Sequence, residues 1–248
     1  DAIRNLKGWD GQPVVILRYK LIVFTQPKIA STAFKQLLRR MMRYNDWNVH
    51  QEPILPHDPR YNKLRYLRSH VVQGKWGRMM TGSDWTRAIF VRDPKTRVLS
   101  AYLDKVQRKD ASYMQRHCPN VPSNVTTWIQ FLESVVRQCP DPHWKPQSQR
   151  MDAVLWPLIN FVGHFENLAQ DAKCLLDRLS PPDAWSKYGA DGWGRHGNES
   201  MFGKNTQATH STHSSALMEE YFRDPDVDRL VEELYASDYS SKFLGLQK

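Results

Sequence analysis

Two short segments of the sequence combine basic and hydroxyl side chains in a pattern that suits an anionic ligand. In the first, PKIASTAFK, Lys28 follows a proline, and the small residues Ala30 and Ser31 come shortly after it. Small residues let the backbone approach an anion closely, and the start of a helix presents N–H groups to it. Lys28 adds a full positive charge, and the hydroxyls of Ser31 and Thr32 add donors. The common phosphate-loop pattern G-x-x-x-x-G-K-[ST] is absent.

The second segment, VRDPKTRVLSAY, carries an arginine at the end of an apolar run and a serine eight residues later. The guanidinium of Arg92 offers a planar fork that matches a phosphate, and Ser100 can donate another hydrogen bond from two helical turns further on. Asp93 either orients Arg92 or caps the following helix. Taken alone, each segment also fits an ordinary connection between a strand and a helix.

Hydrophobic patterns place both segments directly after buried strands. Residues 19–25 (YKLIVFT) and 85–94 (WTRAIFVRDP) are predicted to form strands, with Pro94 in the first turn of the next helix. Ser31 or Thr32 is predicted to be the N-cap of the helix after the first strand. The apolar face of that helix has the spacing i, i+3, i+4, i+7, i+8 and consists of Phe34, Leu37, Leu38, Met41 and Met42.

Strands that alternate with helices predict an α/β fold with a mainly parallel central sheet flanked by helices. Further predictions are a loop over 45–62, a helix over 124–138, a strand, turn and helix over 158–179, and a late helix that begins at Asp224-Pro225. We expect a single domain over residues 1–248, with 1–18 as an N-terminal extension or stem remnant. Ligands of such folds bind at the carboxyl ends of the strands, where both segments fall.

The net charge of +9 is concentrated around these segments. Residues 28–109 contain 18 Lys and Arg against 6 Asp and Glu, whereas the rest of the chain contains 17 against 20. This surplus fits an anionic ligand or a solvated basic face. No apolar run approaches the ~20 residues that cross a bilayer, so membrane attachment is expected only through an anchor that precedes this sequence.

The cysteines and sequons leave the cellular compartment open. Cys118 and Cys139 are candidates for a disulfide, but nothing local in the sequence requires the pair. Sequons at Asn124 and Asn198 fit a secretory lumen. We expect no metal site, because a pair formed by His210 and His213 lacks a third ligand.

Together, PKIASTAFK and FVRDPKTRVLSAY resemble the two nucleotide-binding signatures of sulfotransferases that use 3′-phosphoadenosine 5′-phosphosulfate. Residues 143–172 and 230–245 are similar to the middle and the tail of the carbohydrate sulfotransferase branch (sulfotransferase family 2), whose members are Golgi enzymes that modify glycans. The similarity extends over about residues 20–245 and implies the P-loop-like sulfotransferase fold. The first loop departs from many relatives at Ala30, where they carry glycine.

The resemblance implies roles for individual residues. Lys28 would contact the bridging and sulfuryl oxygens of the donor, while Ser31, Thr32 and the backbone of residues 30–34 would hold its 5′-phosphate. Arg92 and Ser100 would bind the 3′-phosphate. The residues thus expected to bind the donor are Lys28, Ala30, Ser31, Thr32, Ala33, Phe34, Arg92 and Ser100, and a late loop over 202–212 would add Lys204 and Asn205.

In this family a histidine on the strand between the two signatures commonly acts as the general base, and His70 is the candidate here. An imidazole suits this role because its ordinary pKa lies near neutral pH. The resemblance therefore implies transfer of a sulfuryl group from 3′-phosphoadenosine 5′-phosphosulfate to a hydroxyl on a carbohydrate, without a metal, leaving 3′-phosphoadenosine 5′-phosphate as product.

Several alternatives remain open at this point. The acceptor is a glycan, itself anionic or not, or a small-molecule alcohol. A nucleotide kinase and a non-catalytic module for binding polyanions are the rival function classes; no nucleic-acid partner is expected, because no known nucleic-acid-binding motif is present. The expected location is the Golgi lumen, as a trimmed type II membrane protein, with a cytoplasmic enzyme as the alternative. The oligomeric state is not predicted.

Overall fold

The computed structural model describes residues 12–49, 55–72, 74–108, 112–121, 125, 127–203 and 212–247. The strands are, in chain order, β1 Val14–Ile16, β2 Leu21–Phe24, β3 Thr86–Val91 and β4 Phe161–His164. The α-helices are α1 Ser31–Met41, α2 Leu67–Val72, α3 Trp76–Thr81, α4 Pro94–Tyr102, α5 Ser112–His117, α6 Trp128–Gln130, α7 Leu168–Asp177, α8 Met218–Tyr221, α9 Pro225–Leu234 and α10 Ala236–Tyr239. Short 3₁₀ turns cover Leu17–Tyr19, Gln147–Gln149, Ala153–Leu158, Phe165–Asn167 and Ser214–Leu217, and π-helical turns cover Leu103–Gln107, Phe131–Val136 and Trp185–Gly189.

These elements form two compact units. The first contains the described residues of Asp1–Val91 and Met151–Ala208, and the second contains those of Arg92–Arg150 and Thr209–Lys248. The single domain over residues 1–248 stays a prediction. Within the stretch expected to be an extension, β1 forms hydrogen bonds with β2.

The first unit holds the sheet. In the described residues it has four strands in the order β1-β2-β3-β4. β1 pairs antiparallel with β2, whereas the pairs β2–β3 and β3–β4 are parallel. All residues of β2 are buried, which explains why this strand has a continuous apolar sequence rather than an alternating one. The prediction of an α/β fold with a mainly parallel sheet is confirmed.

One hydrophobic core in the first unit joins the sheet to helices α1 and α7. The predicted face of α1 takes part in it, with Phe34, Leu37, Leu38 and Met41 buried and Met42 half-buried. From α7, the residues Ala172, Leu175 and Leu176 belong to the same core. The helical spacing in the sequence therefore predicted the buried face of α1 correctly.

The second unit is helical in its described residues and has a core of its own. Residues of α4, α6 and α9 contribute to it, together with the π-helical turn Phe131–Val136. A disulfide joins Cys118 to Cys139, with 5.6 Å between their Cα atoms, so the pair left open by the sequence is formed. The remaining cysteine, Cys174, lies in the first unit and is exposed.

The remaining predicted elements occur with small shifts in their bounds. The strand, turn and helix predicted over 158–179 correspond to β4, a 3₁₀ turn and α7, and Asp224 caps α9 as predicted. The helix predicted over 124–138 begins later, at Trp128, because Thr127 is its N-cap and forms a capping box with Gln130.

Candidate functional site

The loop between β2 and α1 has an unusual backbone at two residues. Lys28 has φ 66° and Ala30 has φ 52°, both in the left-handed region, where non-glycine residues are uncommon. Ala30 is the N-cap of α1 and has no side-chain capping hydrogen bond. The prediction that Ser31 or Thr32 caps this helix is therefore wrong. Because the chain turns at Ala30, both hydroxyl residues already lie in the first turn of the helix.

This geometry gives α1 an N-terminus whose amides are not capped by the N-cap side chain. The first hydrogen bond of the helix runs from the Phe34 amide to the Ala30 carbonyl, at 3.0 Å. The amides of Ser31, Thr32 and Ala33 precede that bond and belong to the set that a helix leaves without intrahelical acceptors. An eleven-residue helix also has a positive dipole end at this point. Free amides and a positive dipole end are the two features by which helix N-termini bind anions.

A second polar side chain lies in this loop, just before Lys28. Gln26 is 4% exposed, and neither its Oε1 nor its Nε2 has a hydrogen-bond partner among the described residues. Buried amides are normally paired, and each unpaired atom costs free energy. Nothing in the sequence pattern singled out this residue.

His57 contacts the first turn of α1, although the sequence gave no indication of it. Its Nε2 lies 3.0 Å from Thr32 Oγ1, and its Nδ1 lies 3.4 Å from Lys35 Nζ. Thr32 and Lys35 are three residues apart and therefore share one face of the helix. His57 stands 25 residues after Thr32 in the chain, so no local motif joins the two.

The loop that carries His57 is held in place by Asn62, which is fully buried. The Asn62 amide donates to the His57 carbonyl at 3.2 Å and to the Tyr66 hydroxyl at 2.8 Å. In return, Arg39 of α1 donates to the Asn62 carbonyl. These bonds connect the loop to α1 on one side and to the residue before α2 on the other.

His70, the expected base, lies in α2, which is a helix and not the strand that the resemblance implied. The amide of Leu67, the first residue of α2, donates to the Pro13 carbonyl at 2.9 Å, beside Val14. Val14 in turn pairs with Val23, near the carboxyl end of β2. Since the Lys28 loop leaves the same strand end, α2 begins at the edge of the sheet where that loop lies.

The imidazole of His70 is 8% exposed, and its Nε2 has no hydrogen-bond partner among the described residues. Burial lowers the pKa of His70, and the positive charges of Lys75 and Arg65 lower it further. The folded protein therefore favours the neutral imidazole, the form that can accept a proton.

In the second unit, Arg92 follows β3 directly and is 5% exposed. Its Nη2 donates to Ser214 Oγ at 2.8 Å, and its Nε donates to Thr96 Oγ1 at 3.1 Å. The side chain of Asp93 accepts from the Thr96 amide, so Asp93 caps α4, which is one of the two roles expected for it. Ser100, on α4, is also buried, and its Oγ lies 2.9 Å from Thr212 Oγ1.

Both predicted residues of the second segment therefore contact hydroxyls at 212–214, which the sequence did not single out. Thr212 ends the late loop predicted over 202–212, and Ser214 follows two residues later. Lys204 and Asn205 of that loop lie outside the described residues. His210 does so too, so the expected absence of a metal at His210 and His213 stays a prediction.

Gln147 holds the backbone at Arg92. Its Oε1 accepts from the Arg92 amide at 2.9 Å, and its Nε2 donates to the Arg92 carbonyl at 2.7 Å. The Gln147 amide donates to Asp238 Oδ2 at 2.9 Å, and Gln147 and Asp238 are both fully buried. Gln147 and Asp238 belong to the two regions that resemble the middle and the tail of the carbohydrate sulfotransferase branch. The hydrogen bond between them therefore connects these regions next to Arg92.

Part of the basic surplus over 28–109 is used inside the fold. Arg39 and Arg97 are fully buried. Arg39 donates to the Asn62 carbonyl, and Arg97 donates to the Pro142 carbonyl at 2.9 Å. Burial lowers the pKa of the Arg97 guanidinium. The number of basic residues in a segment therefore overstates the charge that can meet a ligand.

No helix in the described part of the chain has the length and apolar character of a membrane span. No group of three or more His, Cys, Asp or Glu side chains in these residues is arranged to hold a metal ion.

Both segments lie within the region of the chain that matches a known protein family. The profile of the sulfotransferase family matches residues 13–241. Human carbohydrate sulfotransferase 9 is 26% identical over 189 residues, which is 66% of this chain and 40% of that protein. Carbohydrate sulfotransferase 14 of Mus musculus is 26% identical over 189 residues and that of Homo sapiens 24% over 188, in each case 66% of this chain and 46% of the relative.

The aligned region thus spans less than half the length of these relatives. No solved structure matches the chain significantly. The family profile, however, covers nearly the whole sequence and includes both segments and His70. The chain therefore belongs to the sulfotransferase family.

Proposed function

We propose that this chain transfers a sulfuryl group from 3′-phosphoadenosine 5′-phosphosulfate to a hydroxyl on a carbohydrate. The observation that carries the proposal is that a sulfotransferase-family chain contains two segments that resemble nucleotide signatures, each between a buried strand and the helix that follows it.

The segment that contains Lys28 is proposed to bind the phosphosulfate end of the donor. The left-handed turn at Ala30 and the uncapped start of α1 fit a 5′-phosphate, because they present amides and a positive dipole end without a competing side chain. Lys28 would neutralise charge on the departing phosphate, and the hydroxyls of Ser31 and Thr32 would donate to it.

The segment that contains Arg92 is proposed to bind a 3′-phosphate. The guanidinium of Arg92 and the hydroxyl of Ser100 are the donors implied by the signature, and both are buried. Arg92 contacts Ser214 and Ser100 contacts Thr212, so two further hydroxyl groups lie next to these donors. A buried arginine surrounded by hydroxyls suits a doubly charged phosphate, since hydrogen bonds between ionised groups are the strong ones.

His70 is proposed to be the general base. As the acceptor oxygen attacks sulfur, a bond forms between oxygen and sulfur, and the bond from sulfur to the bridging phosphate oxygen breaks. The proton of the acceptor hydroxyl moves to His70 Nε2, the atom without a partner among the described residues. The electron pair of the broken bond leaves with 3′-phosphoadenosine 5′-phosphate, and no redox change occurs.

The carbohydrate acceptor is supported by the relatives, which are named carbohydrate sulfotransferases. A location in the Golgi lumen is supported by the disulfide between Cys118 and Cys139, because disulfides persist in oxidising compartments. The exposed side chain of Asn198, in the sequon Asn-Glu-Ser, is in keeping with a glycoprotein.

A nucleotide-binding experiment tests the donor. Addition of 3′-phosphoadenosine 5′-phosphate at about 100 times its Kd should raise the Tm by about 5–10 °C, whereas ATP at equal concentration should raise it far less. Incubation with labelled donor and a panel of glycans and simple alcohols should then yield a labelled glycan. A protein that neither binds the nucleotide nor forms a sulfated product would refute the proposal.

Substitutions separate the proposed roles. Lys28→Ala should lower kcat, and Arg92→Ala should mainly raise the Kd of 3′-phosphoadenosine 5′-phosphate. Lys173→Ala and Arg229→Ala are matched controls that remove a cation from an exposed ion pair in each unit, and both should behave like the unmodified protein. An unchanged Kd in Arg92→Ala would exclude that residue from the nucleotide site.

The pH dependence tests His70. The neutral imidazole is the base, so kcat/KM should fall as the pH drops through the pKa of the folded state. That pKa is lowered, so the midpoint of the acid limb should lie below 6.5. His70→Ala should lower kcat by about 10²–10⁴-fold and remove this limb. An acid limb that persists in His70→Ala would assign it to another group.

A further inference from the structure

His57 is held between two side chains of α1 whose chemistry fixes the positions of its hydrogens. Lys35 is fully buried, and a lysine ammonium carries three donors and no acceptor. Its contact with Nδ1 of His57, at 3.4 Å, therefore requires that Nδ1 accept. In the neutral imidazole the hydrogen then lies on Nε2.

The hydrogen on Nε2 determines how Thr32 can act. Nε2 lies 3.0 Å from Thr32 Oγ1, so His57 donates and the hydroxyl oxygen accepts. A hydroxyl has a single hydrogen, and one that accepts from His57 keeps its own hydrogen for another partner. Thr32 is the second residue of α1, in the turn that carries the uncapped amides.

We propose that His57 is a positioning residue that keeps the Thr32 hydroxyl as a hydrogen-bond donor to the 5′-phosphate of the nucleotide. This inference rests on the function proposed above. The proposed hydrogen bonds form a relay, in which Lys35 donates to His57, His57 donates to Thr32, and Thr32 donates to the phosphate. Lys28, two residues before Ala30, contributes positive charge to the phosphate site. The relay adds a hydrogen bond of fixed direction from Thr32 to the same phosphate.

The supports of His57 show that its place is built into the fold. The amide of Asn62 donates to the His57 carbonyl, and the carbonyl of Asn62 accepts from Arg39 on α1. Asn62 and Arg39 are both fully buried. The loop is thus tied to the same helix whose first turn its imidazole contacts, so the distances from His57 to Thr32 and Lys35 are maintained together.

Two substitutions divide the function of the imidazole. The amide of His57→Gln reaches the position of Nε2 and can still donate to Thr32. The shorter amide of His57→Asn reaches only the position of Nδ1 and keeps the contact with Lys35. Calorimetric titration with 3′-phosphoadenosine 5′-phosphate should give a nearly unchanged Kd for His57→Gln and a Kd raised about tenfold for His57→Asn, as expected for a hydrogen bond to a charged group.

A truncated ligand distinguishes positioning from a general structural role. Adenosine 3′-phosphate lacks the 5′-phosphate, so its Kd should be the same in His57→Asn and in the unmodified protein. In a Thr32→Val background, His57→Asn should have no further effect on either ligand, because coupled residues are not additive. Thr32→Ser keeps the hydroxyl and should bind like the unmodified protein. Should His57→Asn not fold, His57→Ala replaces it in the same comparisons.

The outcomes separate this inference from the proposed function. An unmodified protein that does not bind 3′-phosphoadenosine 5′-phosphate refutes the function. If the unmodified protein binds, a His57→Asn variant with an unchanged Kd refutes the inference alone. Equal weakening of both ligands, or an added effect in the Thr32→Val background, also refutes it and assigns His57 a structural role.

Discussion

Two residues just before α1 adopt backbone conformations that are unfavourable for residues other than glycine. Ala30 has φ 52° and ψ 30°, where a Cβ atom is crowded by the backbone. Two residues earlier, Lys28 has φ 66°. Backbone strain of this kind persists where the surrounding structure enforces it, and it is concentrated at functional sites. The loop thus combines local strain with the uncapped helix start described above.

The first prediction concerns Ala30. Ala30→Gly should raise the free energy of unfolding by about 1 kcal/mol, because glycine adopts the left-handed conformation without a steric penalty. Ala33→Gly is the matched control inside the first turn of α1, and it should lower the free energy of unfolding by about 1 kcal/mol. Urea denaturation measures both. Equal losses in the two variants would contradict the left-handed conformation of Ala30.

A second prediction for a single residue concerns Gln26, whose buried amide lacks a hydrogen-bond partner among the described residues. Gln26→Met keeps the size of the side chain and removes the polar atoms. The free energy of unfolding of the nucleotide-free protein should therefore rise by about 1–3 kcal/mol.

Gln36→Met on α1 is the control for Gln26→Met, because Gln36 is half-buried and its amide has a partner, the Asn48 carbonyl at 3.1 Å. It should lower the free energy of unfolding by about 0.5–1.5 kcal/mol, the contribution of one ordinary hydrogen bond. Thermal and urea denaturation give the measurements. A loss of stability in Gln26→Met would show that the amide is satisfied in solution.

Among elements, contacts between aromatic rings set the position of α1 against the sheet. The ring of Phe34, in the first turns of α1, lies 4.4 Å from that of Phe90 on β3, measured between centroids. Phe90 packs over Gly163 on β4, where an added Cβ would lie 2.4 Å from the ring. The absence of a side chain at Gly163 therefore allows the placement of Phe90 and, through it, that of the helix start.

The prediction for this element contact is a loss of stability in Gly163→Ala. The new methyl group forces the ring of Phe90 to move, and overpacking of this kind costs about 1–3 kcal/mol in the free energy of unfolding. Gly77→Ala on α3 is the control, since its Cβ would meet nothing within 4 Å.

Gly77→Ala should leave the stability unchanged or raise it by up to about 1 kcal/mol. Urea denaturation separates the two variants. Equal stabilities for Gly163→Ala and the unmodified protein would show that Phe90 has room to relax.

At the scale of the whole molecule, the chain forms two units with separate cores and different means of support. The first unit is built on the sheet, whereas the second is helical in its described residues and contains the disulfide between Cys118 and Cys139. The signature with Lys28 belongs to the first unit, and the signature with Arg92 belongs to the second. The two signatures therefore lie in units that each have a hydrophobic core of their own.

The prediction for the molecule concerns this disulfide, which closes a loop with a sequence separation of 21 residues. Replacing both cysteines by serine should lower the free energy of unfolding by about 3 kcal/mol, because the unfolded chain regains the entropy of that loop. Cys174→Ser is the control and should have little effect, since this cysteine is exposed and free. Calorimetry with and without reductant measures the change. Equal Tm values under both conditions would contradict the prediction.

Local patterns in the sequence predicted much of the fold. The apolar run before Thr25 predicted β2, and the helical spacing from Phe34 to Met41 predicted the buried face of α1, because strand and helix periods are properties of neighbouring residues. Asp224-Pro225 predicted the start of α9 for the same reason. The N-cap of α1 was wrong, since the conformation of Ala30 depends on how the whole loop is held.

By itself, the sequence determined the family, the α/β class and the positions of the two signatures, because each of these is written in contiguous residues. Tertiary structure alone decided which side chains surround them. Thr32 and His57 are 25 residues apart in the chain, Arg92 and Ser214 are 122 apart, and Gln147 and Asp238 are 91 apart. Such pairs form only when packed elements bring distant segments together, and one sequence contains no periodic signal for them.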